Sequence, residues 1–282
     1  MKKLLIACCL AANVPCLTAQ QSIDSAFSHP PTEAKPIMIW QWMDGVVSAE
    51  GITADLEAYK EAGIGGVQQF LVGGPMQVAM SDTTHAIGTD SWRNLMQHAI
   101  SECSRLGLSF GTHNCPGWSS SAFPTVTPEE SMQKLVWESI IHPLSQGKRT
   151  SIPLPKQPKV EAQWNYYEDI AVVVMPDDSI VKQEDIQVYS PADFPLSLTG
   201  KKGRLRIIRF GHTTNGKTNY ATAPAGGVGL ECDKMSREAV RHYWEGYPSQ
   251  LLALATGETG KTFQIVMRQA DRNGHDSCLR SF

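Results

Sequence analysis

The sequence predicts an α/β fold built from repeated strand–helix units, and three observations carry that prediction. Short apolar runs of strand length alternate with amphipathic stretches of helical period, glycines stand where the helices should end, and the links between them are brief and polar. Repetition of this kind builds a parallel sheet, either open or closed into a barrel.

The elements follow in order. After a polar, proline-containing leader over residues 21–35, Pro36–Met43 (PIMIWQWM) is the first strand and Asp44-Gly45 its turn. Ser48 can cap a helix through Ala62 that aligns Ile52, Leu56 and Tyr59, and Gly63 closes it. Gly65–Val72 (GGVQQFLV) is the second strand, ended by Gly73-Gly74-Pro75. Asp90 is expected to cap a helix to Leu106 with Trp92, Leu95, Met96, Ala99 and Cys103 at helical spacing, and Leu108–Thr112 is the third strand. Thr127-Pro128-Glu129-Glu130, with proline in the first turn, is expected to open a helix to about Ile141.

From 143 to 222 the texture changes. Pro143, Pro153, Pro155 and Pro158 interrupt helices, while Ile170–Met175, Ile186–Tyr189 and Leu205–Phe210 read as strands, so this stretch is a β-rich insertion. The βα pattern resumes with a strand at Val228–Cys232, then a helix carrying Ala239, Val240, Tyr243, Tyr247, Leu251 and Leu252. Thr262–Met267 has the character of one more strand, and Arg268–Phe282 has no usable periodicity. The expected organisation is a signal peptide over 1–20, βα units over 21–142, the insertion over 143–222, a resumed βα unit over 223–264 and a divergent tail over 265–282.

Composition narrows the function. A hydrophobic content of 41% is enough to bury a core, and a net charge of −3 gives no electrostatic case for nucleic acid or an anionic membrane surface. Lys2 and Lys3, the apolar run Leu4–Leu10 and the small-residue site Leu17-Thr18-Ala19 read as an export signal, placing the protein in the periplasm or on the outer surface of a Gram-negative-type cell. Leu5-Ile6-Ala7-Cys8 also resembles a lipoprotein box, with an unusually short apolar run before it. No later segment is apolar enough to be a membrane helix. Export permits disulfides; Cys115 and Cys232 both follow predicted strands and could pair or remain buried thiols.

The chemistry concentrates in His113-Asn114-Cys115-Pro116-Gly117-Trp118-Ser119-Ser120-Ser121, at a predicted strand end. Imidazole and amide groups bond hydroxyls, and an indole stacks on the C–H face of a ring, so the stretch suits a sugar. Trp42 and Gln69 fall near the ends of the first two strands, on the face where barrel active sites form, though core packing explains them equally well. Glu231 and Asp233 flank Cys232 at a later strand end and could bind sugar or a calcium ion, which favours carboxylate oxygens. Asp233 has the competing role of a helix cap. His212 and Asn219 could reach the site from the insertion. Gly117-Trp118-Ser119-Ser120-Ser121 lacks the second glycine of a serine nucleophile elbow, and Gly63-Ile64-Gly65-Gly66 precedes a strand instead of following one, which excludes a dinucleotide loop.

Several segments together resemble glycoside hydrolase family 106, the α-L-rhamnosidase-like enzymes. They are Trp40–Gly45 (WQWMDG), Gly51–Leu56 (GITADL), Gly63–Gln68 (GIGGVQ), His113–Ser121, Ser131–Lys134 (SMQK), Arg209–Asn219 (RFGHTTNGKTN) and Gly229–Ser236 (GLECDKMS). The resemblance implies the N-terminal portion of a (β/α)8 TIM-type barrel, calcium dependence, and inverting release of rhamnose from plant-type polysaccharides or oligosaccharides. Inverting hydrolysis needs an acid and a base carboxylate roughly 6.5–9.5 Å apart. By resemblance these lie on strands beyond Lys261-Thr262-Phe263, where this chain reads Gln264–Asp271, and its last glutamate is Glu258 in a predicted loop. No catalytic glutamate is therefore assigned. About 180 residues remain for the barrel against the about 250 of a complete one, which predicts an unclosed barrel with an exposed strand edge. The loss of pattern near Ile265 reads as a shifted reading frame. A non-catalytic sugar-binding protein and an inert fragment are the alternative readings.

Overall fold

The computed structural model describes residues 23–73, 83–200, 202–255, 263–270 and 276–279, the last two segments as backbone strands. The signal segment, Gly74-Pro75 and Glu258 lie outside the described residues. A short helix α1 (Ile23–Ser28) buries no side chain. The chain then forms β1 (Ile37–Met43), α2 (Ala49–Glu61), β2 (Gly66–Val72), α3 (Asp90–Leu106) and β3 (Ser109–His113). Each helix boundary has a local cause. Ser48 accepts from Gly51 N at the start of α2, and Thr89, not Asp90, accepts from Trp92 N at the start of α3; each satisfies a free amide of the first turn. Gly107 ends α3 at φ 65°, a conformation in which a Cβ would be strained. The predicted α3 stripe of Trp92, Leu95, Met96, Ala99 and Cys103 is buried throughout.

β1, β2 and β3 pair in parallel in that order. Partners across a parallel ladder point the same way, so the register sorts side chains by face. One face carries Trp40, Trp42, Val67, Gln69, Leu71 and Phe110. Helices α2 and α3 cover it, and the apolar members join Ile52, Leu56, Met96 and Leu108 in the main core. The opposite face carries Ile39 and Met43 on β1, Gln68 and Phe70 on β2, and Gly111 and His113 on β3. At β1 that face is open, with Ile37 51% and Ile39 57% exposed. β1 is an edge strand, and a cleft of about 580 Å³ walled by Trp40, Trp42, Val47 and Ile52 runs between it and the start of α2. The described strands form an open sheet, not a closed barrel.

After β4 (Ala122–Phe123), residues 133–214 build a separate antiparallel unit: β5 (Gln133–Leu144), β6 (Arg149–Ile152), β7 (Glu168–Pro176), β8 (Gln187–Tyr189), β9 (Leu196–Thr199) and β10 (Gly203–Thr214). The main sheet has the order β5-β10-β7-β8, a β6–β9 ribbon covers one face, and the two enclose a second core of Ile152, Val172, Val174, Leu196 and Ile207. The three insertion strands expected from sequence are β7, β8 and β10.

Four expectations are corrected. The helix expected to reach Ile141 is instead strand β5, which pairs with β10 along its whole length. Leu135, Val136, Trp137, Ile140 and Ile141 are β-branched or bulky residues that gain more from that ladder than a helix offers. The expected barrel strand at Val228–Cys232 is only β11 (Leu230–Glu231), and it pairs antiparallel with β4. Gly229 is pressed against the Phe123–Pro124 backbone, where a Cβ would stand 2.0 Å from Phe123 C, so the segment belongs to the loop after β3 and not to the sheet. The one helix expected after Ser236 is two, α4 (Arg237–Gly246) and α5 (Pro248–Leu254), because Pro248 has no N–H to continue the first. The strand expected at Thr262–Met267 is β12 (Phe263–Ala270), the fourth parallel strand beside β3, but the tail beyond it, which shows no usable periodicity, extends β12 and adds β13 (Asp276–Leu279), which turns back on it.

Candidate functional site

The site grows from the C-terminal ends of β2 and β3 on the open face. Phe70 and His113 lie one residue past the last paired positions, and their rings stack at 4.9 Å with 27° between planes. Trp118, in the loop after β3, lies 4.9 Å from Phe70 on a 32° tilt. The three rings make a stepped platform in which Phe70 and His113 are buried while Trp118 keeps 41% of its surface exposed. Gln68 lies one step below, its Oε1 over Gly111 where a Cβ would come within 2.4 Å. Its Nε2 is buried without a hydrogen-bond partner among the described residues.

The loop that presents Trp118 is fastened from many directions. Gly117 takes a left-handed turn (φ 72°), donates to Leu71 O at 2.7 Å and packs on Thr222, so no side chain fits. Trp118 N donates to Thr222 Oγ1 at 2.9 Å. Asn114 is buried, donates to Ser120 O at 2.6 Å, and its own carbonyl accepts from Tyr243. His113 donates through Nδ1–H to Cys115 O at 2.7 Å. Burial pushes the Cys115 thiol up to about 12, so Cys115 and Cys232 are buried neutral thiols, not a bridge.

The sequence candidates separate clearly on this geometry. His113 and Trp118 stand together on the platform. Asn114 adjoins it as a loop anchor, with Oδ1 lacking a partner among the described residues. Trp42 and Gln69 lie on the helix-covered face, 4% and 0% exposed, and Gln69 accepts from Thr112 at 2.7 Å. Glu231 is a brace: Ser119 Oγ donates to one carboxylate oxygen, and Ser121 Oγ and Lys234 Nζ to the other at 2.7 and 3.0 Å. Burial alone would raise its pKa, but the Lys234 charge and the two hydroxyls outweigh it and hold the carboxyl below its ordinary value. Asp233 shapes the entry to α4, accepting from Met235 N at 2.9 Å. Asn219 donates to Pro116 O, Ala122 O and Gly227 O and accepts from Gly229 N. His212 lies on β10 against Gln133 at 3.0 Å, within the antiparallel unit.

Sequence reasoning missed Phe70, Gln68 and Asp44. Phe70 and Gln68 alternate with Gln69, but a parallel strand buried on both faces gives no phase by which to choose. Asp44, buried at the C-terminal end of β1, was hidden within an Asp-Gly turn. Among the described residues no three His, Cys, Asp or Glu side chains gather, and both oxygens of Glu231 are engaged. No calcium ligand is assigned.

Comparison with known proteins identifies the family and a similar fold. The family model for alpha-L-rhamnosidase, glycoside hydrolase family 106, matches residues 28–188 and 159–278. A relative from Formosa agariphila named "Putative beta-glucuronidase" is 37% identical over 264 residues, covering 79% of this chain and 21% of the relative. The solved rhamnosidase of Novosphingobium sp. PP1Y has a similar fold, with a TM-score of 0.62 at 20% identity over 84% of this chain and 38% of that one. The chain thus spans about a fifth of one relative and well under half of the other. With the family model matching nearly all of the sequence from residue 28, the chain belongs to the alpha-L-rhamnosidase family of glycoside hydrolases, family 106.

Proposed function

We propose that the Phe70–His113–Trp118 platform binds a rhamnose-type sugar of a plant-type oligosaccharide or polysaccharide. The carrying observation is the exposed Trp118 ring, seated on Phe70 and locked by its backbone bond to Thr222. A 6-deoxy sugar has an apolar edge that stacks on an indole, and Trp118 is the exposed ring of the platform. The relative's name offers a uronic acid instead. A carboxylate calls for an arginine or lysine, whereas the platform is built of aromatic and amide groups and Lys234 is paired with Glu231.

Supporting the finer fold, the parallel order β1-β2-β3-β12 with helices on one face is what an arc of a (β/α)8 barrel would show. The site then lies at the C-terminal rim, where barrel enzymes act. Hydrolysis is assigned to no described residue, since no carboxylate pair stands on the platform. Export through the amino-terminal signal and calcium dependence are part of the same proposal for the whole protein. Calorimetric titration of the chain and of Trp118→Ala with L-rhamnose, a rhamnosyl oligosaccharide and a glucuronide tests the reading. Rhamnoside binding that is lost in the variant supports it; equal binding by both proteins, or preference for the glucuronide, overturns it.

A further inference from the structure

The antiparallel unit ends in an edge that its own core does not explain. β5 is twelve residues long and lies at the border of its sheet, paired among the described residues with β10 on one side only. Its side chains alternate between two environments. The even-numbered side includes Ile140, which packs on the second core. The odd-numbered side leaves Leu135 54%, Trp137 62% and Ile141 47% exposed. A long, unpaired strand edge beside an exposed tryptophan is a feature that folded proteins usually cover.

We infer that a second copy of this chain covers it, by antiparallel pairing of β5 with its symmetry mate about a two-fold axis through Val136. The argument is self-complementarity. A two-fold at Val136 places each residue opposite the one equally far on the other side. Lys134 then faces Glu138 of the partner subunit, and Leu135 faces the partner's Trp137, while Gln133 meets the partner's Ser139. Each of these is a favourable cross-strand pair: opposite charges on one face, aromatic against aliphatic on the other. An isologous contact repeats both pairs, so one strand supplies two ion pairs and two apolar pairs. Moving the axis by one residue to either side loses the Lys–Glu match. Within the chain, Lys134 is already bonded to Glu161 at 3.0 Å, but both side chains are more than 40% exposed, so that pair is weak and can be shared. The two sheets would join edge to edge into one continuous eight-stranded sheet, with the two Trp137 rings diagonal to each other across the axis. This surface is separate from the sugar platform, so the two proposals stand or fall apart.

The test is light scattering coupled to size exclusion on the full chain over a range of micromolar concentrations. The expected result is a dimer. Lys134→Glu and Glu138→Lys should each weaken it roughly tenfold, because two attractive pairs become repulsive. The double reversal should restore it. Glu161→Gln, which removes only the in-chain partner of Lys134, should leave it unchanged. Val136→Cys places two thiols opposite each other and should give a disulfide-linked dimer on a non-reducing gel without disturbing either charge. A monomer at every concentration, a dimer indifferent to the single reversals, or a double reversal as weak as the singles overturns the inference. A dimer that Val136→Cys fails to cross-link overturns the register.

Discussion

The two faces of the parallel sheet share strands, backbone and register but differ in how far they are covered. On the helix-covered face Trp40, Trp42, Gln69, Leu71 and Phe110 are all at most 6% exposed. On the other face exposure runs from 57% at Ile39 to 2% at His113, across only two strand pairings. The covered face is stability. The open face is graded, apolar and exposed at β1, aromatic and fastened at β3. Residue type alone does not distinguish them, since both carry aromatics and glutamines. What distinguishes them is whether neighbours fill the space in front.

That contrast can be broken most sharply by paired truncation. Leu56→Ala, fully buried on the inner face of α2, should cost about 2–5 kcal/mol, whereas Ile39→Ala should cost under about 1 kcal/mol, both read from urea unfolding. Similar costs would mean that the open face is covered in solution. Asn219→Ala comes next. It strands three carbonyls and one amide of the loop frame and should cost about 2–3 kcal/mol while also loosening Trp118. Unchanged stability would show the staple to be dispensable. Trp118→Ala should alter stability by less than about 1 kcal/mol and weaken rhamnoside binding roughly tenfold, separating display from support. The smallest effect is Glu231→Gln. The folded state holds the Glu231 carboxyl below its ordinary value near 4.5, so its contribution is present above that value and lost as the pH falls through the lower folded-state value. Acid unfolding should therefore take more stability from the wild type than from the variant, and parallel curves would remove Glu231 from the brace.

Much of this architecture was legible in the residues. Capped, amphipathic α2 and α3 follow from periodicity, because each has one buried side and one wet one, and the insertion strands β7, β8 and β10 follow from apolar runs set between polar turns. β5 did not follow, because Thr127–Glu130 mimics a helix start and the partner that decides the matter, β10, comes some seventy residues later. Along the site, His113 and Trp118 were readable because strand-end aromatics and imidazoles are few. Gln68 and Gln69 were not separable, since one residue of phase moves a side chain through the sheet. Glu231 looked like a ligand because nothing local reveals that two serines more than a hundred residues earlier consume its oxygens.

Asn219 also carries a consequence for how the protein is made. It ties together backbone at residues 116, 122, 227 and 229, so the loop that displays Trp118 cannot take its final shape until the ribosome has delivered the far end of the insertion. The antiparallel unit, with its own core, can fold during that interval as a self-contained body. Only its completed ends, brought back beside β3, close the frame. Folding order is thereby written into the site: the loop that displays Trp118 is among the last parts of this region to become native, and a chain stalled within the insertion would expose its aromatics without yet holding them in place.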